Sequence, residues 1–265
     1  MSGEAGRLYV GPLSVGGLDL HVERRGSGGP VVVFLHGGAI ASGVWEAQFT
    51  WFARRTTVVR FDLPGDGRSE FAGQSFSGVE IVRELLSQLE IDRACLVGLS
   101  GGARIAIDYA LTDPERVERL VAVSPGLSGY LRWSLPEQQA ARLKQAIAAG
   151  DRTLAAEAWL DLWGPATRDK LLPLASANAE SLFRDVRLLD AEPPALGRLA
   201  ALTAPILVVL GENDLTDIHT IGELIVAEAP SARRAVIAGG DHYPNVHDPE
   251  AFNDLVASFL LPASS

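Results

Sequence analysis

The chain has 265 residues, 47% hydrophobic and 21% charged, a globular composition with enough length to bury a sizeable core. Its 33 acidic against 23 basic residues give a net charge of −10, which repels a phosphate backbone or an anionic surface, so neither nucleic acid nor a membrane is expected as a partner. The single cysteine, Cys95, excludes an intrachain disulfide, no run approaches the ~20 apolar residues of a membrane span, and Met1 to Arg7 carries an acid where a secretory signal needs bases; a reducing, cytoplasmic setting is expected.

In chain order, residues 18–23 read as an antiparallel edge strand ahead of the first buried run. Residues 31–35 and 57–61 are short, β-branched, nearly continuous apolar runs, the mark of strands buried on both faces. A helical pattern follows over 76–89, with apolar residues at Val79, Val82, Leu85, Leu86 and Leu89. Then come a strand at 94–97, a helix at 101–111 and a strand at 120–123. Ser134-Leu135-Pro136-Glu137 has the form of a capping box opening a helix that runs to Gly150. Asp151 caps a second helix ending at Gly164-Pro165, and a third covers 166–183. Strand and helix resume with 206–210, 218–229 and 234–238, and Asp248-Pro249 opens a last helix with an N-cap and a proline at its first position.

Strands alternating with helices predict an α/β fold with a mostly parallel central sheet covered on both faces. The stretch 126–203 departs from that rhythm. It has no strand signal, holds 5 of the 27 glycines, and is charge-neutral with nine basic and nine acidic residues, so the net −10 belongs to the flanks. Residues 1–125 and 204–265 therefore read as one core and 126–203 as an inserted all-helical cap, since so long an excursion usually forms a lid or binding element.

Chemistry is expected at the strand ends. Gly98-Leu99-Ser100-Gly101-Gly102 follows a buried strand and starts a helix, a sharp turn in which residues two before and two after the serine must lack side chains. Ser100 is the candidate nucleophile. A serine needs a base and the base an orienting carboxylate. Of five histidines, His242 in Gly239-Gly240-Asp241-His242 suits the base; His247 beside Asp248 reads as a surface residue, His21 lies on the edge strand and His219 at a helix start. Asp214, just past 206–210, suits the carboxylate, and its order, Ser100, Asp214, His242, is one that serine hydrolases use. Asp217 is the fallback or else the N-cap of the next helix. The amides of Gly38 and Gly101 are the expected oxyanion hole, with His36 holding the Gly38 loop by hydrogen bonds. The spacing of Asp214, Asp217, His219, Asp241 and His242 matches no metal-ligand pattern, so neither a metal nor a cofactor is expected.

Taken together, His36-Gly37, the segment from Asp62 to Ser69, the Ser100 elbow, Gly211 to Asp214, and His242 to Phe252 resemble the α/β-hydrolase fold family, in its serine-nucleophile branch with a helical cap, esterase- or lactonase-like. The resemblance spans nearly the whole chain and implies that Gly65, Gly67 and Ser69 shape a tight structural loop. Ser100 departs from the branches that use an aspartate nucleophile. Carbon–carbon bond hydrolases usually carry Asn before the nucleophile and Trp after the histidine, where this chain has Leu99 and Tyr243; Ser124 stands where some lactone hydrolases place their acid. Asp241 replaces a more usual glycine, and either tunes His242 or faces water.

Substrate choice is expected in the cap. Ala155, Trp159 and Trp163 share one helix face, which either packs the cap on the core or walls an apolar pocket. Tyr130 and Trp133 at the cap entrance are similar candidates, Trp45 reads either as core or as a wall, and Arg104 either anchors a carboxylate or makes an ion pair. The expected activity is cofactor-independent hydrolysis of an ester, thioester or lactone of a small to medium, mainly apolar molecule through an acyl-enzyme. The alternatives are acyl transfer, cyclisation or carbon–carbon cleavage on the same scaffold, a hydrolase-like receptor with little turnover, and a protein-interaction module with a fossil site.

Overall fold

The computed structural model describes residues 9–71, 73, 75–184 and 193–261. The chain opens with two strands, β1 (Tyr9–Val15) and β2 (Leu18–Arg25), then β3 (Val31–Leu35), helix α1 (Glu46–Phe52), β4 (Thr57–Phe61), α2 (Gly78–Gln88), β5 (Ala94–Leu99), α3 (Gly101–Thr112) and β6 (Val117–Val123). Among the described residues the sheet has eight strands in the order β1-β2-β4-β3-β5-β6-β7-β8, with β7 at Ile206–Gly211 and β8 at Ala232–Ile237. Only the β1/β2 and β2/β4 pairs are antiparallel; the others run parallel.

Every residue of β4, β5 and β7 is buried, the reason these strands read as unbroken apolar runs. Alternate residues serve opposite faces: Val33 and Leu35 of β3 join a core with α2 and α3, while Val32 and Phe34 join another with Phe49 and Phe52 of α1. The expected edge strand lies one place inward, because β1 covers it. Gly11 and Pro12 break the alternation that would have announced β1, and proline is tolerated there because this strand is an edge.

From β3 the chain passes to β4 on one side and then to β5 on the other. The connections that leave the carboxyl ends of β3 and β5 run to opposite faces at that reversal, where open α/β sheets hold ligands.

Between β6 and β7 lie α4 (Glu137–Ala148), α5 (Arg152–Trp163) and α6 (Arg168–Ala177), with no strand between them among the described residues. Asp151 caps α5 by accepting from Leu154 N at 2.9 Å. The capping box at Ser134 does not form: α4 starts after Pro136 without a side-chain cap, and Ser134 N donates to Asp217 instead. The third helix is shorter than expected, stopping at Ala177 before a 3₁₀ turn at Ala179–Phe183, with Asn178 Nδ2 donating to Leu174 O at its end. After β7 come α7 (Thr216–Glu228), β8, the short α8 (Pro244–His247) and α9 (Pro249–Leu260), the last capped by Asp248. No helix among the described residues is long and apolar enough to cross a membrane.

Two sequence features turn out to be structural. His21 lies 3.0 Å from Glu23, which also binds Arg60 and Arg68. Burial pushes the Glu23 carboxyl up, but these three partners outweigh it and bring it down to about 2. Cys95 is buried in β5, and burial pushes its thiol up to about 12, far from a reactive thiolate.

Candidate active site

Ser100 sits between β5 and α3 at φ +53°, ψ −114°, a left-handed strained turn that lifts its side chain out of the sheet end. Its neighbours must be glycine for steric reasons. A Cβ on Gly98 would stand 2.4 Å from Gly102 O, and one on Gly102 would stand 2.4 Å from Leu35 O. The turn is held by Ser100 N donating to Val123 O at 2.9 Å and by Ser100 O accepting from Gly126 N at 3.0 Å. Its hydroxyl makes no hydrogen bond with any described residue.

The loop after β3 approaches from the other side. Gly38 N lies 3.9 Å from where a Cβ of Gly101 would be, both residues line one cavity, and neither amide donates to another described residue. Such free donors at a helix start are what a developing oxyanion needs. His36 fixes this loop: Nδ1 donates to Gly37 O at 2.7 Å and Nε2 accepts from Leu63 N at 2.9 Å, so its fully buried ring bridges two loops. The Asp62 to Ser69 loop is locked in turn. The Asp62 carboxylate accepts from Ser42 N and Arg68 N, and the Ser69 hydroxyl donates to Asp62 O. Burial opposes ionisation of Asp62, yet its surroundings hold its carboxyl below the usual range. A cavity of about 190 Å³ opens beside Gly38 and Gly101, lined further by His36, Leu63, Phe76 and Arg184.

His242 Nδ1 lies 3.1 Å from both carboxylate oxygens of Asp214, and both side chains are almost fully buried. An N–H at Nδ1 leaves Nε2 as the acceptor for a serine proton. The other residues proposed for these roles stand elsewhere. Asp217 is in the first turn of α7, not at its N-cap, and binds Tyr130 and Ser134. His247 packs against Gly239, and Ser124, at φ +42°, keeps a buried hydroxyl without a partner among the described residues.

Of the two alternatives for Asp241, facing water is not the one observed. It is 1% exposed, and its carboxylate accepts from Ala166 N, Thr167 N and the Thr167 hydroxyl at 2.9 Å and from Tyr243 N at 3.0 Å. The histidine loop is thus pinned to the α5–α6 connection, and His242 N donating to Trp163 O adds another tie. The Tyr130 hydroxyl and Ser134 N donate to Asp217 at 2.9 and 2.6 Å, pinning the segment that follows β6 to the first turn of α7. Asp214 and His242 thus each have a carboxylate close by in the chain, Asp217 and Asp241, that accepts hydrogen bonds from the stretch between β6 and β7. Asp241→Ala removes the acceptor of Ala166 N and Tyr243 N and leaves the Thr167 amide and hydroxyl only their longer bonds to Gly164 O, and is expected to lower the unfolding free energy by about 2–4 kcal/mol, read as a shift in a urea unfolding curve.

The aromatic candidates divide. Trp45 is fully buried against Phe34 at 5.2 Å and Phe252 at 6.1 Å, so it is core and no wall of the site. Tyr130, Trp133, Trp163 and His242 form a chain of rings with centroids 5.6, 6.2 and 4.7 Å apart. Trp159 lies 5.7 Å from Trp163, donates from Nε1 to the Tyr243 hydroxyl at 3.0 Å, and approaches Gly38. Arg104 lies 3.8 Å from Asp108 on its own helix. Sequence reading missed Thr167, Phe76 and Arg184, whose neighbours in space are distant along the chain.

The model of the alpha/beta hydrolase family matches residues 32–255. A pimeloyl-[acyl-carrier protein] methyl ester esterase of Yersinia enterocolitica is 28% identical over 91% of this chain and 96% of its own. A 2-hydroxy-6-oxononadienedioate/2-hydroxy-6-oxononatrienedioate hydrolase of Klebsiella pneumoniae is 27% identical over 93% of this chain and 92% of its own. Among solved structures, a hydrolase from Pseudomonas aeruginosa PA01 superposes with a TM-score of 0.76 at 28% identity, covering 97% of this chain and 99% of that one.

Proposed function

The chain belongs to the alpha/beta hydrolase family, and from that premise we propose that it is a serine hydrolase cleaving an ester, thioester or lactone of a small to medium, mainly apolar molecule. The observation that carries this reading is the strained Ser100 turn, whose unengaged hydroxyl stands at the sheet reversal beside the free Gly38 and Gly101 amides. In this reading Ser100 Oγ attacks the carbonyl carbon as His242 Nε2 takes its proton. The Gly38 and Gly101 amides stabilise the oxyanion, and His242 returns the proton to the leaving oxygen. Asp214 holds the imidazole and balances its charge. Water then attacks the acyl-enzyme by the same route in reverse, restoring Ser100 and releasing the acid. These steps use side chains and backbone amides alone and require no cofactor. The esterase relative supports ester chemistry.

Residues 126–203 serve in this reading as a cap over a core of 1–125 and 204–265, with Tyr130, Trp133, Trp159 and Trp163 as substrate walls. The unpaired, buried Cys95 suits a cytoplasmic setting. Carbon–carbon cleavage, the activity that the Klebsiella relative's name implies, is disfavoured by Leu99 and Tyr243 at the two positions flanking the nucleophile and the base.

The test is a fluorophosphonate probe followed by steady-state hydrolysis of short p-nitrophenyl esters. Labelling of Ser100 alone with repeated turnover supports the reading. Labelling at another residue overturns the assignment, and labelling without turnover moves acyl transfer or a receptor role ahead.

A further inference from the structure

The surroundings of Ser100 differ on its two sides. On the oxyanion side lies the cavity of about 190 Å³, smaller than the roughly 300–1,000 Å³ usual for small-molecule sites. It is lined by Asp66, Ser181 and Arg184 as well as by His36, Leu63 and Phe76. On the other side, Trp163 packs on the His242 ring at 4.7 Å and the chain of rings continues through Trp133. That chain reaches the surface. Trp133 is 41% exposed, and Leu131 and Leu135 beside it are 88% and 36% exposed. Three exposed large apolar residues thus stand within five positions, and Trp133 among them belongs to the chain of rings that ends on His242. Trp159 stands between the two sides, touching Trp163 and approaching Gly38.

Proton transfer decides which half of an ester goes where. His242 protonates the departing oxygen, so the alcohol half must leave from the histidine side, while the carbonyl oxygen points to Gly38 and Gly101 and the acyl chain takes the space beside them. We propose that the preferred substrates are esters of a compact acyl group with a bulky aromatic or apolar alcohol, and that Leu131 and Trp133 form the seat of that alcohol at the surface end of the ring path. The inference rests on Ser100 and His242 acting as proposed above. The reaction balances without a co-reactant other than water: the Ser100 Oγ–carbon bond forms, the carbon–alcohol oxygen bond breaks, and the serine proton leaves with the alcohol.

Two ester series test this. One keeps the acyl group as acetyl and varies the alcohol from ethanol through benzyl alcohol to 2-naphthylmethanol, alcohols of similar acidity; the other keeps benzyl alcohol and lengthens the acyl group from acetyl to dodecanoyl. Expected is a rise in kcat/KM of about tenfold or more along the first series and a fall of about tenfold or more along the second. Trp133→Ala and the surface change Leu131→Asp should lower the naphthylmethyl-to-ethyl ratio by about tenfold and several-fold respectively, leaving the dodecanoyl-to-acetyl ratio unchanged. Turnover that rises with acyl length and ignores the alcohol, or variants that move the acyl ratio instead, overturns the inference while the hydrolase reading stands. Absence of turnover in both series, with Ser100 unlabelled, defeats the two together.

Discussion

Ser100→Ala is expected to lower kcat for a p-nitrophenyl ester by roughly 10⁵–10⁶-fold, to abolish fluorophosphonate labelling, and to leave the thermal midpoint unmoved. The first two follow from the loss of the only protein atom that bonds to the acyl carbon in the proposed scheme. The third follows from the structure, because the Ser100 hydroxyl makes no hydrogen bond with any described residue and its removal deprives nothing of a partner. Alanine keeps the Cβ and so inherits the strain at φ +53° unchanged. Stopped kinetics with an unchanged circular-dichroism melt would locate the effect in chemistry. Retained turnover would show that another group attacks.

Asp214→Asn is the second large effect, expected to reduce kcat by roughly 10⁴-fold with KM nearly constant. An amide presents a donor as well as an acceptor to His242 Nδ1, so the ring can settle with its proton on Nε2, where it opposes the serine proton it should accept. Loss of the carboxylate charge also removes stabilisation of the imidazolium formed in the transition state. Asp217→Asn provides the contrast. Asp217 binds Tyr130 and Ser134 rather than His242, so its variant should change kcat by less than about tenfold while loosening the start of the helical insertion. Steady-state kinetics on the two variants separates the roles; a larger loss at Asp217 would reassign the acid.

Much of the site was legible because its rules are local. The glycines around Ser100 are required by contacts within a few residues and by one neighbouring strand, so their spacing alone marks the turn. The pairing of Asp214 with His242 followed from chain order and from their places after strands, and the two side chains meet at 3.1 Å. Asp241 was not legible. Its partners Ala166 and Thr167 lie about 75 positions away, and no periodicity in either segment encodes that meeting. Ser134 looked like a helix cap by the same local logic, but its amide is captured by Asp217 from across the fold.

By itself the sequence determined most of the strand and helix order, β1 and α1 excepted, together with the parallel sheet and the sharp Ser100 turn, since burial on both faces and backbone sterics leave their mark residue by residue. Only the tertiary structure decided which side chains face the site. Trp45 and Trp163 are the same residue type, and each follows or lies in a helical stretch. One is closed in by Phe34 and Phe252 over the sheet, and the other lies against His242. The difference is set by which element packs on which face, a consequence of contacts between segments far apart in the chain, and so it appears only when the chain has folded.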